Sequence, residues 1–193
     1  MKDPILQNIN RYVTLTSEEE HIILNAVYKE KYTAKSILLK PGEQSDITYF
    51  VISGLLRSYT VDDNGVEHVL VFASPDWWIS DLYSYFGHQP AISFIDAIDD
   101  SEVYVLTRDK SEELYTKVPK LERFFRILTQ KSLVANQQRI IDKMSLPAEM
   151  RYEKFQQRYP KVQHCIPQKQ IASYIGVTPE FFSKMKSKIL RKK

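Results

Sequence analysis

Cysteine is nearly missing from this chain of 193 residues: Cys165 is the only one. That excludes an internal disulfide and an all-cysteine zinc or iron–sulfur site within one chain. Histidine is almost as sparse. The four histidines, at 21, 68, 88 and 164, include no His-x-His pair and fall in unrelated segments. The ligand sets of metal-dependent β-barrel enzymes therefore have no obvious source, and no nucleophile–base grouping can be named. Long hydrophobic runs are absent too, none approaching the ~18 apolar residues of a membrane span. The opening M-K-D-P-I-L-Q-N-I-N lacks the charged-then-apolar pattern of a secretory leader. The expectation is a cytoplasmic protein with no membrane partner, no metal and no catalytic residue.

What is present is a folded composition, 43% hydrophobic and 26% charged, with a marked asymmetry of charge. Residues 147–193 carry 11 Lys and Arg against 3 Asp and Glu, whereas residues 1–146 carry 16 against 21. A basic C-terminal block of net charge +8 on an acidic body of −5 suits a polyanion partner at the tail, with a solvated tail as the alternative.

The periodicity changes twice along the chain. Residues 5–30 show helical spacing, with Thr16 before S-E-E-E as a helix start. From Thr33 the runs become short, β-branched and aromatic, bounded by P-G-E at 41–43 and by Gly54. Asn64-Gly65 predicts a two-residue type I′ turn between strands Leu55–Val61 and Val66–Ala73. Further strands at Ile92–Ile98 and Val103–Thr107 give the strand density of a barrel or jelly roll. Helical spacing returns over Asp109–Val118, runs without Gly or Pro through Lys120–Met144, and resumes at Ala148–Arg158 after the S-L-P break. Along the long helix Leu121, Phe124, Phe125, Leu128 and Ala135 share a stripe, read as a dimer face, with a helix lying wholly on its own barrel as the alternative.

The most specific pattern is Q-K-Q-I-A-S-Y-I-G-V-T-P-E-F-F-S-K-M-K-S at 168–187. Ile171, Ala172 and Ile175 form one inner face and Phe182, Met185 and Ile189 another, while Gly176 supplies the corner. Thr178 caps the second helix, Pro179 takes its first position and Glu180 suits its positive end. This is a helix-turn-helix. Glu180, Phe181, Lys184, Ser187 and Lys188 are spaced as a major-groove reading surface. Gln168 and Lys169 are placed for phosphates, with Lys186, Arg191, Lys192 and Lys193 adding attraction that ignores sequence.

A β-barrel, a long helix and a helix-turn-helix in this order resemble the Crp/Fnr family of transcription regulators over nearly the whole chain. The markers are P-G-E, G-L-L-R at 54–57, the N-G hairpin, the segment 77–97 and I-A-S-Y-I-G-V-T-P-E; R-Y-E-K-F-Q-Q-R-Y-P at 151–160 is similar to a compact Bacteroidetes-type branch. The resemblance implies an α+β fold with a jelly-roll sensor domain over 1–118, a dimerisation helix and hinge over 119–146 and a DNA-binding domain over 147–193. It also implies a homodimer on double-stranded DNA, contact with RNA polymerase, and a small-molecule effector.

In cyclic-nucleotide-binding relatives the segment matching 77–97 holds the ribose with a Gly-Glu pair and the cyclic phosphate with an arginine. Here those positions are Ser80-Asp81 and Ala91. The pocket candidates are Ser80, Asp81, Leu82, Tyr83, Ala91 and Ile92, and cyclic AMP is expected not to bind tightly. Backbone N–H groups near Leu82–Tyr83 remain as anion donors, His88 is the nearby candidate to replace the arginine or else a solvent-facing loop residue, and Trp78, Tyr83, Tyr85 and Phe86 either line a pocket for an apolar signal or are plain core. Cys165 is an oxidation sensor or a space-filler. The rivals are a module without DNA binding that acts through a protein partner, and a metal-dependent barrel enzyme.

Overall fold

The computed structural model describes residues 3–191. The chain opens on helices α1 (Pro4–Asn10) and α2 (Ser17–Ala26). Thr16 begins α2 through reciprocal bonds: its hydroxyl accepts from the Glu19 amide, and the Glu19 carboxylate accepts from the Thr16 amide. Eight strands follow: β1 (Tyr28–Tyr32), β2 (Ile37–Leu39), β3 (Ile47–Ser53), β4 (Leu56–Val61), β5 (Glu67–Ala73), β6 (Trp78–Ile79), β7 (Phe94–Ala97) and β8 (Ser101–Thr107), with α3 (Leu82–Gly87) between β6 and β7. They form two four-stranded sheets, β1-β8-β3-β6 and β2-β7-β4-β5, the jelly roll anticipated. Helices α4 (Arg108–Lys117), α5 (Lys120–Ser145), α6 (Ala148–Arg158), α7 (Gln168–Ile175) and α8 (Pro179–Arg191) complete the chain, with a short 3-10 turn at Val162–His164. Among the described residues no helix is long and apolar enough to cross a membrane.

Two compact bodies emerge, Met1–Ser58 with Phe72–Lys131, and Tyr59–Val71 with Ser132–Lys193. In the first, β3 and β8 run antiparallel at the centre of their sheet, with Phe50, Val51, Val103 and Val105 fully buried. A second cluster joins Ile5, Ile9 and Ile23 to Leu106, Leu114, Leu121 and Phe124. Trp78 ties it together, its ring 5.1 Å from Phe50 and 6.0 Å from Phe124, and its indole N–H donates to Asn8 Oδ1. Under this cluster the first half of α5 is committed to its own chain: Leu121 and Phe124 are buried, and Phe125 and Leu128 pack against them. The expected dimer stripe is corrected in that half, because these apolar groups are already covered.

The hairpin between β4 and β5 also departs from expectation. Only Gly65 has a positive φ (+77°); Asn64 does not, so the turn is not type I′. Asp62 explains why. Its carboxylate accepts the amides of Asn64 and Val66, while Gly65 N–H donates to Asp62 O and Asp62 N–H to Val66 O. That is a tight turn followed by a single left-handed glycine bulge, nucleated by the aspartate. His68 Nε2 lies 2.8 Å from the same carboxylate and, as the largest cause, holds its pKa below the usual range.

Gly54 between β3 and β4 has φ +86°, and a Cβ there would meet Asp100 O at 2.4 Å and Ser101 Cα at 2.6 Å. Both neighbours are backbone and cannot step aside. Gly54→Ala is therefore expected to cost about 3 kcal/mol or more, read as a drop in the midpoint of urea unfolding.

Candidate functional site

The second body is built on an aromatic box. Tyr152 and Phe155 of α6 and Tyr159 just after it meet Tyr174 of α7 and Phe182 of α8, with ring centroids 5.1–5.4 Å apart for Tyr152–Phe182, Phe155–Tyr174 and Tyr159–Tyr174. Burial pushes the Tyr159 phenol up, so it stays neutral. The helix-turn-helix rests on this box. Ala172 is fully buried and lets α8 cross closely, and Gly176 takes φ +74° and ψ +49° to end α7. Val177 N–H closes the corner on Ala172 O, and the Thr178 hydroxyl accepts the Phe181 amide to start α8. Phe182 and Met185 fix the inner side at 0% and 3% exposure.

With that side anchored, the other side is turned out. Thr178, Glu180, Phe181, Lys184, Ser187 and Lys188 are all exposed, as are Gln168 and Lys169 at the start of α7. Lys186 is half-buried and Arg191 exposed; Lys192 and Lys193 lie outside the described residues. α8 thus presents Lys184, Lys188 and Arg191 with one acid, Glu180, at the end where a helix favours negative charge. The face matches what a DNA groove requires in charge and length.

The β4–β5 hairpin belongs to this body and touches α7. The Ser173 hydroxyl accepts from Val69 N–H at 2.9 Å and donates to Glu67 O at 2.6 Å. β5 is the last strand of its sheet, so one side chain satisfies backbone groups that a free edge leaves open. Arg139 of α5 donates to Leu70 O and lies over the Tyr174 ring. No sequence signal marks Ser173, because a serine on a helix is silent until the strand opposite it is known.

The cassette at 77–97 has a different character. Asp81 is 4% exposed, and its carboxylate accepts from Ser84 N–H (3.0 Å), Ile92 N–H (3.2 Å), Ser93 N–H (3.0 Å) and the Ser93 hydroxyl (2.6 Å). Three amides of the segment are thus taken by the protein's own anion; those of Leu82 and Tyr83, expected as anion donors, are not among them. Ala91 is buried, its backbone pairing with Gly42 and Glu43 of the P-G-E turn, and Ser80 donates to Ile47 O. Of the other pocket candidates, Leu82, Tyr83 and Ile92 are 43%, 53% and 55% exposed. Phe86 is exposed as well. Tyr85 is core, its hydroxyl donating to Ser111, as Trp78 is.

The cation beside this segment is Arg108, which the sequence reading did not single out. It donates to Ser45 O and Ser84 O and to His88 Nδ1 at 2.9 Å, and lies over the Tyr85 ring. Its guanidinium serves carbonyl oxygens and helix α3. Nearby, Arg57 and Asp96 form a buried bidentate pair across β4 and β7, both bonds 2.9 Å. Cys165 is exposed, which corrects the space-filler alternative. Among the described residues no group of three His, Cys, Asp or Glu side chains could hold a metal ion.

Residues 29–117 match the cyclic nucleotide-binding domain family. The chain is 25% identical over 185 residues to the anaerobic regulatory protein of Haemophilus influenzae, covering 89% of this chain and 71% of that one. It is 24% identical over 186 residues to the regulatory protein HlyX of Actinobacillus pleuropneumoniae, covering 89% and 76%. Its fold superposes on FixK2 from Bradyrhizobium japonicum with a TM-score of 0.76 at 17% identity, over 86% and 85% of the two chains.

Proposed function

We propose, from this chain's membership of the Crp/Fnr family of transcription regulators, that it is a homodimeric, effector-responsive DNA-binding regulator and not an enzyme. The observation that carries the reading is α8: anchored inside by Phe182 and Met185, open outside along Lys184, Ser187 and Lys188. Residues 147–193 form the DNA-binding part in this reading, 119–146 the dimerisation helix and hinge, and 1–118 the sensor. Gln168, Lys169 and Thr178 meet phosphates; Glu180, Phe181, Lys184, Ser187 and Lys188 meet bases. RNA polymerase is the protein partner through which bound dimers act. Fluorescence anisotropy on duplexes from the region upstream of its own gene tests the reading. Saturable binding that weakens with salt supports it, and no binding at low ionic strength overturns it.

The dimer seam lies in the second half of α5. Leu133, Gln137, Ile140 and Met144 recur at alternating steps of four and three, with Val134 and Ile141 beside them, and the apolar members are 47–84% exposed. That is the spacing of a coiled-coil seam with one polar position. Of the stripe expected from the sequence, Ala135 is half-buried and sits five positions before Ile140, about 140° around the helix.

Cyclic AMP is not the effector in this reading. The arginine that would pair with the cyclic phosphate is Ala91, and the missing charge-assisted contact is worth on the order of 2–5 kcal/mol. Affinity is expected to fall about thirtyfold or more. Calorimetry with cyclic AMP and cyclic GMP is expected to show no low-micromolar binding; such binding would overturn this part.

A further inference from the structure

Three cations gather where α5, α6 and the corner after α7 meet. Arg139 and Lys143 are four residues apart on α5 and share a face, and Arg151 comes from the first turn of α6. Gly176 marks the point of convergence. A Cβ built on it would lie 3.2 Å from Lys143 Cε, 3.7 Å from Lys143 Nζ and 3.4 Å from Arg151 Nη1.

Among the described residues none of the three forms an ion pair. Asp142, the neighbouring acid, is already engaged by Lys154 at 2.7 Å and Gln138 at 2.8 Å. Arg139 is held by Leu70 O and the Tyr174 ring. Arg151 Nη1 donates to Ile175 O at 2.6 Å, while its Nε is buried and has no partner. Lys143 is exposed as a residue, yet partial burial first, then Arg139 and Arg151, draw its pKa below the usual amine range. The C-terminal end of α7 adds about half a negative charge beside them. A half-charge cannot balance three cations.

We infer that Arg139, Lys143 and Arg151 form a binding site for a phosphate group beside Gly176. An oxyanion there would accept from the ammonium and the guanidinium together, and charge-assisted contacts of that kind are the strong ones. Glycine suits position 176 because the backbone there is left-handed. None of its residues is among those assigned above to phosphates or bases.

The test is carbon-13 NMR of the full-length protein with lysine ε-carbons labelled, the Lys143 signal being identified by its loss in Lys143→Gln. Pyrophosphate and inorganic phosphate are titrated in one series and a DNA duplex in another. The expected result is a saturable shift of the Lys143 signal with a rise in its pKa. Affinity by calorimetry should fall about tenfold or more in both Lys143→Gln and Arg151→Met. Lys143→Gln leaves the bond to Ile175 O intact, so a loss there cannot be ascribed to an uncapped α7. A shift with the free anions alone assigns the site to a phosphate-bearing small molecule, and a shift with the duplex alone assigns it to a backbone phosphate. A Lys143 signal that neither series moves overturns the inference.

Discussion

Exchanging Lys184 and Lys188 for glutamate is expected to weaken duplex binding about a thousandfold near 0.1 M salt. Each cation brought against the duplex releases roughly 0.9 of a counterion, so the four removed from a dimer cost on the order of a thousandfold at that concentration, which the added repulsion can only increase. Both side chains are exposed, whereas Phe182 and Met185 on the inner side hold α8 in place; thermal unfolding should therefore be nearly unchanged. The alanine pair should flatten the plot of log K against log salt by about two units per protomer. Lys110→Glu on α4, far along the chain and paired with Glu113, is the control expected to leave binding unaltered. A double glutamate variant that binds as the parent does would remove α8 from the interface.

The second large effect concerns association. Ile140 is 60% exposed, so Ile140→Asp leaves the folded chain little affected. In a dimer it places two carboxylates in the apolar seam, at several kcal/mol of desolvation and repulsion. The dimer dissociation constant should rise at least a hundredfold by sedimentation equilibrium, and duplex affinity should fall with it because a lone chain offers one reading helix. Phe124→Ala separates the two halves of the helix. Phe124 is fully buried in its own chain's core, so this change should lower stability by about 3–5 kcal/mol. An unchanged mass for Ile140→Asp at micromolar concentration would contradict the seam.

The sequence made the helix-turn-helix legible because each requirement there falls on a residue type that admits few substitutes: a small Ala172 at the crossing, a glycine in the left-handed region, a threonine cap followed by proline. Helix α6 was equally plain, its prolines marking both ends. The long helix was harder. Its apolar residues serve two surfaces in turn, the core under Leu121 and Phe124 and the exposed stripe from Leu133 to Met144, and a single stripe drawn along the helix followed the first into the second half. At the Asn64-Gly65 turn the dipeptide suggested one geometry while Asp62 imposed another through its side-chain bonds. In the cassette, Ala91 was visible as a missing charge. That Asp81 would gather the amides of Ile92 and Ser93 was not, since they come to its carboxylate from 11 and 12 residues away. Arg108 and Ser173 were silent for the same reason: their partners are backbone carbonyls and a strand edge, which carry no residue signature.

The most direct measurement is the stoichiometry and salt dependence of wild-type binding to a duplex of about 30 base pairs, by sedimentation and anisotropy on one sample. Two chains per duplex are expected. With Lys169, Lys184, Lys188 and Arg191 available on each protomer, log K should fall with log salt at a slope of about −5 or steeper. A chain that sediments as a monomer and leaves the anisotropy unchanged at the lowest salt would contradict the account.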